Sequence, residues 1–363
     1  MSRVAPVDVL IAGGGPIGLA TAVEAALAGL SVRVLEPRPA PIDKACGEGL
    51  MPTARTALAR LGVHPRGREF AGIRYLNAAG TRRAEARFRA PTRTPRTTRT
   101  AETWHGLGVR RLELSSALTA RAVELGVELV AELAPPPRPD AGGGDVVQVG
   151  RHRARWFIGA DGLHSPTREA LGLNGPGPRR ERRRYGLRQH YRLAPWSDLV
   201  EVYWSPHAEA YVTPVADDLV GVAVLCPGGG SYASWLAEFP ALRDRLDGAA
   251  PASAVRGAGP LRQNVIRRVD GRTLLVGDAA GYVDALTGEG LAMGLRSAHE
   301  LIACLLADRP QDYEAAWRRT TRRYRWLTGG LVAVAARPPL RRALVPAASR
   351  LPGVFATIVD QLG

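Results

Sequence analysis

The stretch VDVLIAGGGPIGLATAVEAALAGLSVRVLEPR, residues 7–38, decides how the rest of the chain is interpreted. A short apolar run at 9–12 predicts a buried parallel strand, and residues 19–30 have the composition of a helix ended by Gly29. A second apolar run at 32–35 follows and leads to an acidic residue. The stretch therefore predicts a strand–turn–helix–strand unit of about 30 residues.

Three glycines in the turn of this unit have the G-x-G-x-x-G spacing: Gly13, Gly15 and Gly18. Gly13 allows a tight turn, Gly15 lets a diphosphate approach the backbone, and Gly18 lets the helix pack closely on the strand. The helix N-terminus favours an anion there. Glu36, about 20 residues later, can accept hydrogen bonds from both hydroxyls of an adenosine ribose. The pattern predicts a dinucleotide site; the alternative is a turn with only a structural role.

Composition narrows the classes of function. The chain has 363 residues, is 45% hydrophobic and carries a formal net charge of +15. Nearly all of its basic residues are arginine, and no aromatic-studded basic patch or zinc-finger spacing is present, so we do not expect nucleic-acid binding. A basic surface could still attract NAD(P)H or an acidic substrate. Three cysteines far apart in sequence predict no disulfide framework and a reducing cytoplasm, and we expect no signal peptide and no membrane span.

Two further motifs lie far from the first. Residues 155–168 read RWFIGADGLHSPTR, and residues 274–281 read LLVGDAAG, followed by TGEGL at 287–291. Together with the N-terminal glycines, they resemble the three fingerprints of FAD-dependent monooxygenases and reductases of the p-hydroxybenzoate hydroxylase type. The resemblance covers roughly 1–70, 105–175 and 265–305. It implies a bound FAD, with NAD(P)H as a transient co-substrate that has no domain of its own.

The resemblance assigns roles to single residues. Asp161 belongs to the family's DG motif, Asp278 to its GD motif at the ribityl chain, and Arg111 matches an arginine that reaches the flavin cofactor. Structural alternatives remain: Asp161 as a helix cap, Asp278 as a turn residue and Arg111 as a surface arginine. The full set of expected cofactor-binding residues is Gly13, Gly15, Pro16, Gly18, Glu36, Lys44, Cys46, Gly47, Arg111, Asp161, Gly162, Gly277, Asp278, Gly288, Gly290 and Leu291.

The physical chemistry of the last motif agrees with the resemblance. Asp278 directly follows an apolar run, at the carboxyl edge where open α/β sheets bind ligands. Gly288 and Gly290 free the backbone ahead of a helix predicted from Leu291, whose start can stabilise negative charge on a reduced flavin. The family usually has proline where this chain has Ala285, so we expect a different loop beside the flavin ring.

The segment DKACGEGL, residues 43–50, resembles the cysteine–glycine segment of the geranylgeranyl reductase branch of the superfamily. That resemblance places Cys46 beside the flavin, as a polarizable wall of the active site or as a small buried residue. The reductase branch also carries a Y-x-W-x-F-P signature, of which Tyr211 and Pro214 keep only the ends, with Thr213 in place of tryptophan. The tryptophan-rich motif of flavin halogenases is missing as well.

Aromatic residues in the alternating segment 185–225 are candidates for substrate contact. Aromatic residues on a sheet are more often core residues, and we expect this to compete with a substrate role. The histidines show no metal-ligand spacing, so we expect no metal. The substrate candidates are Tyr203, Trp204, Tyr211 and Pro214.

The predicted fold is α/β plus α+β. A discontinuous, doubly wound, Rossmann-like FAD domain consists of 1–70, 101–175 and 263–330, and residues 71–100 and 176–262 form an inserted antiparallel-sheet substrate domain. A C-terminal helical tail spans 331–363. Within this scheme we predict a strand at 261–267, one helix at 234–246, a helix at 313–324, a loop at 91–103 and a solvated charge run, RRERRR, at 179–184.

These observations favour an NAD(P)H- and O₂-dependent hydroxylase of an aromatic or polyketide-like small molecule in secondary metabolism. The alternative enzyme is a flavin-dependent reductase of C=C double bonds, indicated by the segment around Cys46. A third possibility is a flavin-bound partner or sensor protein without turnover. The basic, amphipathic tail could touch a membrane weakly. The substrate, the preference for NADH or NADPH, and the oligomeric state stay open.

Overall fold

The computed structural model of the chain describes residues 5–89, 104–139 and 146–362. Its strands are short, and most follow the apolar runs of the sequence. They are β1 (Val7–Ala12), β2 (Val32–Leu35), β3 (Gly49–Leu50), β4 (Arg68–Phe70), β5 (Gly72–Asn77), β6 (Arg83–Arg87), β7 (Gly106–Gly108), β8 (Glu128–Val130), β9 (Arg138–Pro139), β10 (Val147–Val149), β11 (His152–Gly159), β12 (Tyr185–Arg192), β13 (Val200–Trp204), β14 (Glu209–Ala216), β15 (Leu219–Cys226), β16 (Ala250–Pro251), β17 (Arg256–Ala258), β18 (Val269–Asp270) and β19 (Thr273–Leu275).

Helices alternate with the strands in the first third of the chain and dominate its last quarter. Several begin with proline in the first turn, where the missing N–H costs no hydrogen bond. They are α1 (Pro16–Leu27), α2 (Pro52–Arg60), α3 (Arg111–Glu124), α4 (Pro166–Ala170), α5 (Tyr232–Leu236), α6 (Pro240–Leu246), α7 (Gly290–Leu306), α8 (Asp312–Ala335), α9 (Pro338–Arg350) and α10 (Pro352–Leu362).

The first sheet has a parallel centre in the order β19–β11–β1–β2–β8. Strand β1 lies in the middle, and its apolar residues from Val9 to Ala12 are buried. Helix α1 packs against α3 and α7 in the same apolar core. A parallel sheet with strands from 7–35, 128–159 and 273–275 is the Rossmann-like arrangement that the N-terminal stretch predicts, and its ligand edge lies at the carboxyl ends of the strands.

The second sheet follows the order β16–β12–β15–β14–β13–β5–β6 and is antiparallel except for the β13–β5 pair. The antiparallel sheet predicted from the alternation over 185–225 is correct, but the expected single buried face is not, because β13 and β15 are buried at every position. Strands β5 and β6 join this sheet from earlier in the chain. A small third sheet, β3–β7–β4, connects the two regions. The overall α/β plus antiparallel architecture agrees with the prediction.

Several predicted elements differ from the structure. Residues 261–267 form only isolated bridges, at Gln263 and Val265, because their partners at 282 and 174 do not run on as strands. The predicted helix at 234–246 is two helices, α5 and α6, separated before Pro240, whose ring cannot continue a helix. Helix α8 is longer than predicted and crosses the proposed boundary at 330. The loop predicted at 91–103 lies outside the described residues.

The charge run at 179–184 is not entirely solvated, which corrects the prediction. The guanidinium of Arg184 is only 15% exposed and pairs with Glu209 at 2.7 Å and with Asp284 at 2.9 Å. Glu209 also pairs with Arg341 of α9, at 2.6 Å. This buried set of charges fastens the C-terminal helices to the second sheet.

The last two helices are amphipathic. Val345, Phe355 and Val359 are buried in an apolar cluster shared with the second sheet. Among the described residues no single helix is both long and apolar enough to cross a membrane. The pair 338–350 and 352–360 passes that test only when taken together, and it is bent by 100°.

Candidate functional site

The glycine-rich turn after β1 is shaped as a phosphate cradle. A Cβ on Gly18 would lie 1.9 Å from the carbonyl oxygen of Gly13, so α1 can approach the strand this closely only without a side chain. Gly13 has a φ of +103°. By contrast, a Cβ on Gly15 would meet no atom of the described residues within 4 Å, which leaves open space in front of the first N–H groups of α1. The local geometry thus has a positive φ at Gly13, open space at Gly15 and a close helix–strand contact at Gly18, as the roles predicted from the spacing require.

Glu36 stands at the end of β2 beside this turn. Its Oε2 accepts a hydrogen bond from the backbone N–H of Gly14 at 2.9 Å, and Oε1 accepts one from Nε of Arg38 at 2.7 Å. Burial opposes ionisation, but the hydrogen bonds and charge of Arg38, together with the Gly14 N–H, outweigh it and lower the pKa of Glu36 below its usual value. The residue is therefore an anionic acceptor next to the cradle.

The second and third motifs meet across the end of the first sheet. Ser165 is the N-cap of α4, and Asp161 supports it by accepting hydrogen bonds from the Ser165 hydroxyl and from the first-turn N–H of Thr167 at 2.9 Å. Asp161 thus has a structural role at the start of α4, close to the helix cap that the sequence allowed. Arg168, buried in α4, donates to the carbonyl oxygens of Leu163 at 2.7 Å and of Ala279 at 3.1 Å. Arg168 therefore joins the two motifs. It is the last residue of the second motif, but no role for it was predicted from the sequence.

The glycines around Asp278 and before α7 also open space. Gly277 and Gly288 have positive φ, and Gly290 begins α7 with the Tyr282 ring 3.1 Å from where its Cβ would stand. Glu289, between the two glycines before α7, is buried and its Oε2 has no hydrogen-bond partner among the described residues. Burial raises the pKa of Glu289 to about 7, against the opposing effects of Arg323, Thr287 and Arg296.

Arg111 begins α3 beside the segment that contains Cys46. Its backbone N–H donates to Glu48 at 2.8 Å, while its buried Nε has no hydrogen-bond partner among the described residues. It lines the central cavity and is not the surface arginine that the sequence allowed as an alternative. The thiol of Cys46 accepts a hydrogen bond from the Glu48 N–H at 3.4 Å and lies in the cavity wall.

One cavity of about 610 Å³ connects these parts. It runs from the glycine cradle and Glu36, past Cys46 and Asp278, to the second sheet. Of the expected cofactor residues, all but Gly18 line it, and Gly18 lies directly behind the turn. The apolar and aromatic part of its wall comprises Ile42, Met51, Phe70, Ile73, Tyr75, Leu163, Val200, Val202, Tyr211, Ala223, Leu225, Leu261, Tyr282, Ala285 and Leu286.

Only one of the four predicted substrate residues lines the cavity. Tyr211 does so, and its hydroxyl donates to the Leu286 carbonyl at 2.8 Å. Tyr203 is fully buried in a separate apolar cluster, where it donates to Glu201 at 2.8 Å, because successive residues of a strand point to opposite faces. Trp204 and Pro214 also lie outside the cavity wall. The aromatic wall residues Phe70, Tyr75 and Tyr282 were missed, since no motif marks them.

A buried polar network supports the Cys46 segment from the second sheet. Glu48 has a φ of +59° and accepts from Nε2 of His190 at 2.6 Å. His190 in turn contacts Nη1 of Arg188 at 3.1 Å, and Arg188 pairs with Asp43. Gly221 makes room for this carboxylate, because a Cβ there would stand 3.0 Å from Oε2 of Glu48. The network joins residues too distant in sequence for spacing to reveal it.

The residues present fit an FAD. The open space at Gly15 leaves room for the diphosphate, and the carboxylate of Glu36 can accept hydrogen bonds from the ribose. The Nε of Arg111, which has no partner among the described residues, can donate to a polar group of the cofactor. No cluster of three potential ligands for a metal ion occurs within the three described ranges.

Comparison with known families agrees with this geometry. The family described as "FAD binding domain" matches residues 6–217, more than half of the chain. The chain belongs to this FAD-binding family. The FAD-binding protein is thus a member of a family of FAD-dependent oxidoreductases, as the three motifs predict.

Curated relatives extend over most of this FAD-binding chain. The menaquinone reductase of Mycobacterium tuberculosis is 29% identical over 345 residues, which cover 85% of this chain and 78% of the relative. The 12-dehydrotetracycline 5-monooxygenase/anhydrotetracycline 6-monooxygenase of Streptomyces rimosus is 28% identical, covering 81% of this chain and 61% of the relative. Monooxygenases and reductases therefore both stand among its relatives.

Solved structures share the fold. A geranylgeranyl bacteriochlorophyll reductase-like protein from Thermoplasma acidophilum superposes with a TM-score of 0.75 at 19% identity, covering 99% of this chain and 94% of that one. The flavin-dependent brominase Bmp2 superposes with a TM-score of 0.74 at 18% identity, covering 99% and 93%. At these identities the likeness concerns architecture alone.

Proposed function

We propose that the protein is an NAD(P)H- and O₂-dependent monooxygenase that hydroxylates an aromatic or polyketide-like, largely apolar small molecule. The observation that carries the proposal is the continuity of the cavity, which passes from the FAD cradle into an apolar and aromatic chamber under the second sheet. Bound FAD would supply hydride acceptance and oxygen activation. The tetracycline and rifampicin monooxygenases among the relatives give the reaction class its support.

The chamber favours a flat, apolar substrate. Tyr75 and Tyr211 present aromatic rings, and Val200, Val202 and Leu225 present aliphatic surface, so burial of apolar area supplies most of the binding energy. Burial raises the pKa of Tyr75 and of Tyr211. Their phenols therefore stay neutral at ordinary pH and bury no charge. The Tyr211 oxygen, whose hydrogen is donated to Leu286, can accept a hydrogen bond from a hydroxyl of the substrate.

The protein residues would hold, orient and keep dry the reacting groups. Gly13 to Gly18 and Glu36 would hold the adenosine diphosphate half of FAD, and Lys44, Arg111 and Asp278 the half nearer the ring. The N-terminus of α7 presents free N–H groups that stabilise negative charge. The apolar wall excludes water from the chamber, which strengthens these electrostatic contributions.

A double-bond reductase is the second candidate, and one observation favours it. Cys46 lies in the cavity wall, as its resemblance to the reductase branch implies, and the menaquinone reductase is a relative over 85% of the chain. Such an enzyme would need NAD(P)H but no oxygen, and its substrate would be an unsaturated apolar chain.

Oxygen dependence separates the two candidates. Purified protein is loaded with FAD and reduced anaerobically with NAD(P)H, and candidate polyketide phenols or polyprenyl quinones are added before and after oxygen. Product gaining one oxygen atom, with label from ¹⁸O₂, is the expected result. A product saturated without oxygen would establish the reductase instead. If substrates never accelerate NAD(P)H oxidation, the protein is a flavin-bound partner or sensor and both enzyme proposals fail.

A further inference from the structure

The C-terminal helices present an apolar stripe to solvent. Leu351, Val354 and Ile358 follow the i, i+3, i+7 spacing of one helix face, and they are 57%, 56% and 42% exposed. The adjacent face of α10 holds Phe355 and Val359, which are buried against the second sheet. Helix α10 therefore has an apolar arc wider than the part that the described residues cover.

The charge around this stripe is predominantly positive. Residues 315–360 contain nine arginines and one acidic residue, Asp360 of α10. Arg341 is buried and paired with Glu209. Arg337, Arg342 and Arg350 are exposed along α9 or at its ends. A surface that carries both exposed apolar side chains and arginines is complementary to a lipid bilayer with anionic headgroups. The apolar side chains match the acyl layer, and the arginines match the headgroups above it. The same charge opposes pairing with a second copy of the chain, which would bring two basic faces together.

We propose that this face of α9 and α10 docks on the surface of an anionic lipid bilayer. The occupant is the lipid interface, with the Leu351, Val354 and Ile358 side chains inserted at the acyl boundary and the arginines at the headgroups. Attachment lies in the plane of the interface, because the helix pair is bent by 100° and pinned through Arg341 and the buried side of α10.

The docking face is close to the cavity. The ring of Phe355, on the inner face of α10, packs 4.8 Å from the ring of Tyr75, and Tyr75 lines the cavity. One side chain thus separates the docked helix from the chamber wall. Docking would hold the chamber beside the lipid layer in which apolar molecules concentrate. This last consequence rests on the proposed function, whereas the docking itself does not.

Vesicle sedimentation of the full-length, FAD-loaded protein tests the docking. Vesicles of phosphatidylcholine mixed with phosphatidylglycerol should carry the protein down, and pure phosphatidylcholine vesicles should carry far less. The double variant Val354→Ser/Ile358→Ser should lose at least about tenfold in binding. Arg342→Gln/Arg350→Gln should lose about fivefold per arginine, and added salt should erase the remaining difference from the wild type.

Matched controls keep the test decisive. Leu27→Ser/Val123→Ser removes two equally exposed apolar side chains from helices α1 and α3, and it should bind vesicles like the wild type. FAD absorbance and thermal unfolding confirm that each variant folds. Equal sedimentation with both vesicle types, or unchanged binding by the tail variants, would overturn the proposal. A dimer in gel filtration that the Val354→Ser/Ile358→Ser variant abolishes would assign the face to a second copy instead. None of these readouts requires turnover, so they leave the proposed reaction untouched.

Discussion

The ε-amino group of Lys44 lies 3.6 Å from Oδ2 of Asp278, although the two residues come from opposite ends of the chain. Both side chains are one-third exposed, and both line the cavity. The pair joins the cysteine-containing segment to the third motif at the place where the family resemblance puts the ribityl chain. At this exposure the ion pair itself contributes little stability, so its value lies in positioning two polar groups for the cofactor.

Because Lys44 is the only lysine of the chain, chemical labelling of lysine tests directly whether FAD covers this part of the cavity. We expect FAD to protect Lys44 from reductive methylation, since the bound cofactor would cover the amine. Mass spectrometry of the peptide containing Lys44, with and without FAD, measures the effect. An Arg342→Lys variant adds an exposed reference lysine that should react equally in both states. Equal labelling of Lys44 in both states would mean that FAD binds elsewhere.

Alanine substitutions at Gly15 and Gly18 should separate cofactor binding from folding. Gly18→Ala collides with the Gly13 carbonyl and should destabilise even the FAD-free protein by about 3 kcal/mol or more. Gly15→Ala meets no atom and has an ordinary φ of −71°, so the FAD-free protein should keep its stability while FAD affinity falls at least about tenfold. Thermal unfolding without FAD and fluorescence titration with FAD measure the two effects. Equal destabilisation by both variants would contradict the cradle.

Glu36→Gln should weaken FAD binding while leaving the fold intact. The change removes a charged acceptor, and a hydrogen bond to a charged group contributes about 1.5–3 kcal/mol, so the dissociation constant should rise at least about tenfold. Isothermal titration of the FAD-free protein provides the measurement. The control is Glu113→Gln, an exposed carboxylate on α3, which should bind FAD like the wild type. Unchanged affinity in Glu36→Gln would remove this residue from the site.

Glu289 should make stability fall as pH rises. Its pKa is about 7 in the folded state, above the ordinary 4.5, so between these values the folded protein holds a proton that the unfolded chain has released. The free energy of unfolding should therefore fall by up to about 3 kcal/mol between pH 4.5 and 7, and stay at that lower level above pH 7. Glu289→Gln should match the wild type near pH 5 and exceed its free energy of unfolding at pH 8.

Urea denaturation at several pH values measures this difference. Glu300→Gln, which alters a partly exposed carboxylate of α7, is the control for the removal of one carboxylate in this region. A constant offset between Glu289→Gln and the wild type at every pH would refute the assignment.

Two tyrosine-to-phenylalanine changes should affect different properties, catalysis in one case and stability in the other. Tyr211→Phe removes a hydroxyl from the cavity wall and leaves the Leu286 carbonyl there without its donor, which should misplace the wall beside the substrate and lower kcat/KM about fivefold. Tyr203→Phe removes a donor from buried Glu201 and should lower the melting temperature without changing KM. Steady-state kinetics with calorimetry distinguishes them. A changed KM in Tyr203→Phe would show that the sequence prediction for that residue was right after all.

The sequence alone predicts the FAD cradle well, because its geometry is local. The roles of Gly13, Gly15 and Gly18 follow from one turn, and the acceptor at Glu36 follows from the strand after it. The parallel sheet and the presence of a second, antiparallel sheet also follow from local apolar patterns. Asp278 could be placed because a strand directly precedes it.

The chamber wall could not be predicted, because it depends on how distant strands face one another. Tyr75 and Tyr203 look equally suitable in the sequence, yet their strands present them to different apolar clusters. The partnership of Glu48 with His190 likewise needs two segments brought together by tertiary packing. No local pattern marks Arg184 as the buried member of a basic run.

The Arg341–Glu209–Arg184 set of charges makes the end of the chain an integral part of the protein. Removing α9 and α10 would take away one of the two guanidinium partners of a carboxylate that has no access to water. It would also uncover the outer side of the Tyr75 ring. The final helices should consequently melt together with the catalytic body in one cooperative transition, and trimming them would compromise the enzyme as a whole.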